Sequence, residues 1–158
     1  MNDRGGLPNE AQLVELLGLV PLISAYFHQA RGDMPDALRT SFAAHRFTLR
    51  HGAVLVQLVA TPALTVDRLA ARIGVTPTTA ADLAGALDRA GLVTRESDPA
   101  DGHRTLVALR PQYRELMSQF LAIRADPLLR ALRGLTPEQR DGFVTGLRAW
   151  AREVEKET

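Results

Sequence analysis

Hydrophobic residues recur at three- and four-residue steps along most of the chain, which is the spacing of amphipathic helices. The first such series predicts a helix that Pro21 should kink. Its apolar positions are Leu13, Leu16, Leu17, Val20, Ile23 and Phe27. A short helix over residues 36–44 and a largely buried one over residues 48–60 are predicted next. The pattern indicates a mainly helical protein.

Two short helices are predicted on either side of a tight turn in the middle of the chain. Thr65 stands at the N-cap position of the first, which Gly74 ends, and Thr76 followed by Pro77 begins the second. Ala70 is small at the point where the two helices must cross. The spacing therefore predicts a helix-turn-helix.

The residue pattern after this motif is typical of β-strands and no longer of helices. Residues 92–95 and 105–109 are strand-like, and the turn-forming residues between them predict a β-hairpin with a long tip. Helix, turn, helix and hairpin in this order place one helix in the DNA major groove and the hairpin beside the phosphates. Residues 65–110 are therefore predicted to form a winged helix-turn-helix.

Two further helices are predicted beyond the hairpin. The first begins after Pro111, with a kink at residues 126–127 before it resumes. The second begins with a capping box at residues 136–139. Its narrow apolar stripe consists of Phe143, Leu147, Trp150 and Val154. Such a stripe on a charged helix needs a covering partner.

Composition narrows the function. Cysteine is absent, and no phosphate-binding glycine loop, nucleophile elbow or carboxylate pair with a histidine occurs, so we predict neither an enzyme nor a bound cofactor. A net charge of +1 says little about nucleic acids. No uninterrupted apolar run approaches the ~20 residues that span a bilayer, which predicts a cytoplasmic protein without membrane contact.

Four segments of the chain resemble the MarR family of bacterial transcription regulators. They read LTVDRLA at residues 64–70, GLVTR at 91–95, DPADGHR at 98–104 and TPEQ at 136–139. The resemblance implies a single α+β, mainly α domain over residues 1–158. Its winged helix-turn-helix would occupy residues 48–111, and residues 9–47 and 112–157 would supply the dimerisation helices.

The resemblance also implies a homodimer that reads an inverted repeat in double-stranded DNA, as a repressor relieved by a small effector. The first and last helices would entwine with those of the second copy. Packing of both helices on their own subunit is the alternative.

The DNA-contacting residues that the motif and the resemblance imply lie at the recognition helix and the wing. They are Thr76, Thr78, Thr79, Asp82, Arg95, Asp101, His103 and Arg104. The threonines begin the recognition helix, Arg104 would enter the minor groove, and Asp101 would hold the hairpin and its arginine.

Three positions depart from the family pattern. Asp82 stands where the recognition helix often has an arginine, and residues 76–90 carry two aspartates against one arginine. A carboxylate repels phosphate although it can accept from cytosine, so either the base readout is unusual or DNA binding has weakened. Arg110 and Tyr113 replace the usual threonine and glycine, which weakens the predicted start of the following helix.

Aromatic and imidazole side chains are candidates for an effector pocket. Tyr26, His45, Phe47 and His51 could hold a phenolic or carboxylate ligand, and ordinary packing is the alternative for each. No metal site is predicted, because His28, His45 and His51 lack ligand spacing and an adjacent acid. The competing function is a winged-helix dimer that no longer reads DNA and binds a small molecule or a protein instead.

Overall fold

The computed structural model describes residues 8–29 and 32–157, which form seven α-helices and one three-stranded sheet. The helices are α1 (Glu10–Gln29), α2 (Asp36–Ala44), α3 (Leu49–Val59), α4 (Val66–Ile73), α5 (Pro77–Arg89), α6 (Pro111–Arg133) and α7 (Pro137–Lys156). The strands are β1 (Leu64–Thr65), β2 (Val93–Asp98) and β3 (Asp101–Leu109). The predicted α+β, mainly α class is confirmed.

The chain divides into two compact units, Met1–Met34 and Pro35–Thr158. In the first unit, α1 runs through Pro21 without a break and has no buried residue. With a mean hydropathy of 1.3, α1 is long and apolar enough to cross a membrane, although it contains no uninterrupted apolar run of that length. The mean hydropathy of the helix stays high although it includes Glu15, a charged residue that ends an uninterrupted apolar run. Core helices of soluble proteins and signal sequences share this composition, so α1 alone assigns no location.

The hydrophobic core lies in the second unit, between α3, α4, α5 and the sheet. Its fully buried large side chains are Leu38, Leu55, Leu58, Leu64, Leu69, Leu87, Leu92, Val54, Val93 and Val107. In contrast, α6 buries only Met117, and α7 buries none of its described residues. The winged segment therefore supplies most of its own core, and the C-terminal helices contribute little to it.

The turn between α4 and α5 forms as predicted. The Thr65 side chain accepts a hydrogen bond from the Arg68 backbone N–H at 3.3 Å and caps α4. Gly74 ends this helix with a φ of +76°, a left-handed conformation that glycine adopts without steric cost. Ala70, 2% exposed, lies where the helices pack, and its carbonyl oxygen accepts from the Gly74 and Val75 N–H groups.

The wing is longer than predicted and its tip is shorter. β2 and β3 pair up to Asp98 opposite Asp101, which leaves only Pro99 and Ala100 at the tip, so the predicted long tip is wrong. The Asp98 carboxylate accepts from the Ala100 backbone N–H and the Asp101 carboxylate from the His103 backbone N–H. These local hydrogen bonds allow the turn-forming residues to extend the pairing of β2 with β3. The short β1 was not predicted, since its two residues acquire strand geometry only by pairing with β3 in the order β1-β3-β2.

The last two helices differ in how they begin. α6 starts at Pro111 without a side-chain cap and continues through Pro127, the position of the predicted kink. Arg114 of this helix donates to the Val59 carbonyl oxygen at 2.8 Å. α7 has the predicted capping box, in which the Thr136 hydroxyl and the Gln139 amide oxygen accept each other's backbone N–H. Hydrogen bonds from the backbone N–H and from the Thr136 hydroxyl lower the pKa of Glu138.

Candidate nucleic-acid interface

The outward face of α5 is a single stripe of four residues. Ala80, Leu83, Ala84 and Leu87 are buried in the core on the opposite side of this helix. Residues three or four apart share a helix face, so Thr78, Asp82, Gly85 and Arg89 form one line on the other side of the helix, although Gly85 is itself buried. Thr78, Asp82 and Arg89 are exposed along it.

Two of the three predicted threonine contacts are already engaged in capping α5. The Thr76 hydroxyl accepts from the Thr79 backbone N–H at 3.1 Å, and the two hydroxyl oxygens lie 2.9 Å apart. Thr78 is exposed at the same helix start and takes no part in this cap. Thr78 is therefore the threonine whose side chain is most accessible to a ligand in front of the helix.

The two aspartates of α5 have different surroundings. Asp88 lies 3.9 Å from the Arg110 guanidinium, whose Nε also donates to the Val93 carbonyl oxygen at 3.1 Å. Asp82 is exposed, and within residues 8–29 and 32–157 no cation lies in ion-pair distance of it. Arg110, which departs from the family pattern, thus offsets one of the two negative charges and leaves Asp82 as the unpaired one.

Arg95 reaches from β2 onto the outward face of α5. A Cβ atom built on Gly85 would lie 3.2 Å from Nη1 of Arg95 and 3.4 Å from Nη1 of Arg89. The two guanidinium groups therefore both reach the same helix position, which has no side chain. Arg89 was not among the predicted contacts, although its spacing from Thr78 and Asp82 could have indicated it.

The structure brings three predicted residues together at the wing tip. The Arg104 Nε lies 3.1 Å from an oxygen of Asp101, and the other oxygen of Asp101 accepts from the His103 backbone N–H at 3.2 Å. His103 and Arg104 are exposed. A carboxylate that holds both the hairpin backbone and the arginine restricts the directions in which Arg104 can point.

A pocket of 450 Å³ lies between the wing and the start of α4. Arg68, Arg104, Asp67 and Asp98 contribute both signs of charge to its wall. None of the predicted effector residues lines it.

Three of the four predicted effector residues pack against one another at the junction of α2 and α3. The Phe47 ring, 5% exposed, is stacked between His45 and His51, with ring centroids 5.2 and 4.5 Å away. Nδ1 of His51 accepts from the Thr48 backbone N–H at 3.1 Å and completes a capping box. These side chains therefore contact one another, and His51 also caps α3. Tyr26 lies on α1, where its ring meets that of Phe27.

Acid is expected to destabilise the protein through His51. Burial lowers the pKa of this imidazole below 6.5 because the charged form loses hydration. The folded state therefore binds the proton less readily than the unfolded chain. The stabilisation is complete above pH 6.5 and is lost as the pH falls from there through the lowered folded pKa. Urea unfolding at pH 7.5 and pH 5 measures the loss.

His51→Gln separates the capping box from its titration. Glutamine at this position can accept the Thr48 N–H as Gln139 does for Thr136 in α7, without gaining a proton in acid. This variant should lose less stability than wild type between the two pH values. His103→Gln, at the exposed wing tip, is the control and should behave like wild type. An equal acid loss in His51→Gln and wild type would show that His51 is not the titrating group.

Comparisons with known proteins agree with the fold. Residues 47–104 match the sequence model of the MarR family. Sco3205, a MarR family transcriptional regulator from Streptomyces coelicolor solved in complex with DNA, is 18% identical, with a TM-score of 0.60 over 96% of this chain and 92% of that one. NadR, solved with 4-hydroxyphenylacetate, is 16% identical, with a TM-score of 0.60 over 96% of this chain and 99% of NadR.

A third similar structure is the PcaV transcriptional regulator from Streptomyces coelicolor in complex with its natural ligand. It is 23% identical, with a TM-score of 0.54 over 92% of this chain and 96% of PcaV. No curated protein sequence matches significantly. The matched segment covers the helix-turn-helix and most of the wing, and the shared fold extends over nearly the whole chain. Residues 47–104 therefore carry the sequence pattern of the MarR family, and the chain has the fold of these solved structures.

Proposed function

We propose that this protein is a homodimeric transcriptional regulator that binds an inverted repeat in double-stranded DNA and acts as a repressor. The observation that carries the proposal is the outward stripe of α5, with Thr78 exposed at its start and Arg104 held on the adjacent wing by Asp101. An exposed helix beside a basic hairpin has the shape and chemistry to place side chains in a groove and against phosphates. The complex of the similar Sco3205 with DNA supports this function.

The dimer is proposed from the uncovered apolar faces at the two ends of the chain. The four stripe residues of α7 are 44–52% exposed, and α1 exposes Leu17, Leu22 and Ile23 to a greater extent. Soluble proteins rarely leave contiguous apolar faces of this kind in water. A twofold partner would cover the same face on both copies at once.

We also propose that a small phenolic or carboxylate effector changes the DNA affinity. The ligands in the structures of NadR and PcaV support this idea for a protein of the same fold. Tyr26, His45, Phe47 and His51 remain the candidate residues. A regulator of this kind would act in the cytoplasm and without catalysis.

A second function is favoured by one observation, the unpaired Asp82. An exposed carboxylate at the centre of the outward stripe repels phosphate and reduces affinity for any duplex. The alternative is therefore a winged-helix dimer that binds a small molecule or a protein and no longer reads DNA.

A salt titration of binding to the DNA flanking the protein's own gene tests the two functions. A regulator should bind with an affinity that falls steeply with salt and should withstand competitor DNA. Arg104→Ala should weaken binding to all duplexes about tenfold, the effect of losing a charge-assisted contact. Asp82→Arg should raise the affinity or alter the preferred site.

Arg133→Ala provides the matched control, because Arg133 is an exposed arginine at the end of α6, outside the winged segment. It removes the same unit of charge and should leave the affinity nearly unchanged. Wild-type binding without salt dependence would favour the alternative function. An unchanged affinity in Arg104→Ala would show that the wing does not contact DNA.

A further inference from the structure

We propose that Arg89 and Arg95 together clamp one phosphate of the DNA backbone on the outward face of α5. This inference rests on the proposed DNA-binding function and assigns a contact within it. Arg89 comes from the last turn of α5 and Arg95 from β2, so two separate elements deliver guanidinium groups to one point. That point lies over Gly85, within 3.4 Å of one terminal nitrogen from each arginine.

The position of the pair matches the surface proposed to face DNA. Gly85 and Arg89 continue the line that begins with Thr78 and Asp82, on the side of α5 opposite its buried leucines. The N-terminal residues of a recognition helix approach the base edges. The C-terminal part of the same stripe is then placed toward the edge of the groove, where phosphates lie.

The electrostatics of the pair favour an anion between the two groups. Both arginines are exposed, and in the part of the chain described here neither forms an ion pair with a carboxylate. Asp82, the carboxylate on the same stripe, lies outside ion-pair distance of both. Two adjacent guanidinium groups repel each other until an anion lies between them. A phosphate diester offers two non-bridging oxygens, one for each donor fork.

Glycine at position 85 leaves room for this arrangement. A Cβ atom there would lie 3.2 Å from Nη1 of Arg95, closer than most real Cβ contacts, so the Arg95 guanidinium would have to shift by a few tenths of an ångström, whereas Arg89 at 3.4 Å would only be touched. Helix interiors disfavour glycine, and the space it provides accounts for its presence here. The clamp also gives the outward stripe a positive end, which offsets the repulsion of phosphate by Asp82.

The test is a salt titration of DNA binding by Arg89→Ala, Arg95→Ala and the double variant. Each duplex is either DNA flanking the protein's own gene or a scrambled sequence of equal length. Each single variant should bind both duplexes about tenfold more weakly, because a phosphate contact carries no sequence information. If the two arginines share one phosphate, the salt slope of the double variant should fall by about 0.9, as for the single variants, and not by twice that amount.

Arg133→Ala serves again as the control for the loss of one positive charge, and thermal unfolding checks that every variant is folded. If the wild type binds DNA and the double variant binds it with the same affinity, the clamp is wrong and the proposed function still stands. Loss on the native duplex alone would indicate a base contact and would also overturn the clamp. Failure of the wild type to bind either duplex refutes the proposed function, and the clamp with it.

Discussion

Leu147→Asp is expected to separate the dimer into monomers and to weaken binding to operator DNA about a hundredfold or more. Leu147 lies in the middle of the α7 stripe and is 52% exposed in the single chain. In a twofold dimer the substitution occurs twice in one interface, and an unpaired carboxylate that becomes buried costs several kcal/mol. Each separated subunit would contact only half of an inverted repeat.

Light scattering across a concentration series measures the separation, and titration with DNA flanking the gene measures the loss of affinity. Thr145→Asp is the matched control, because Thr145 is exposed on the other side of α7 from the stripe. It adds the same charge to the same helix and should remain dimeric. Dimers of Leu147→Asp would mean that the α7 stripe is covered by something other than a second copy.

Ala70→Leu is expected to lower the free energy of unfolding by about 3 kcal/mol, the upper part of the range for overpacking a core. Ala70 is 2% exposed where α4 packs against α5, and Leu69 of α4 and Leu83 of α5 are buried as well. Three additional carbon atoms would push the two helices apart. Since α5 carries the proposed DNA contacts, the affinity for DNA should fall as well.

Urea unfolding measures the change in stability, with one m-value, the dependence of the free energy of unfolding on urea concentration, fitted to all variants. The control is Ala71→Leu, because Ala71 neighbours Ala70 in the sequence but is exposed on α4. Leucine is a good helix former, so this variant should stay within about 0.5 kcal/mol of wild type. If the two variants were equally stable, the contact between α4 and α5 could accommodate a leucine at position 70, and the predicted overpacking would be wrong.

The helix starts were predictable because their signals are local. A cap at Thr65, Thr76 or Thr136 is a hydrogen bond between residues three apart, so it is already visible in the sequence. Gly74 is predictable for the same reason, since a left-handed φ is a property of one residue. The prediction failed for β1, whose two residues are a strand only because β3 lies beside them.

The sequence predicted which positions form the candidate site, but it did not predict which of their charged side chains form ion pairs. The wing motif placed Asp101 and Arg104 near each other, and the structure pairs them at 3.1 Å. Asp82 and Asp88 looked equivalent in the sequence. Only the fold brings Arg110 within 3.9 Å of Asp88 and leaves Asp82 unpaired. Their different charge environments depend on contacts across 22 residues of chain.

The sequence by itself determined the winged helix-turn-helix, because its caps, turns and apolar spacings act within a few residues of one another. The tertiary structure alone decided what the charged side chains do. Arg89 and Arg95 lie on different elements, and their convergence over Gly85 follows from the packing of α5 against β2. Long arginine side chains take their direction from whatever the fold places around them, and no local pattern records that direction.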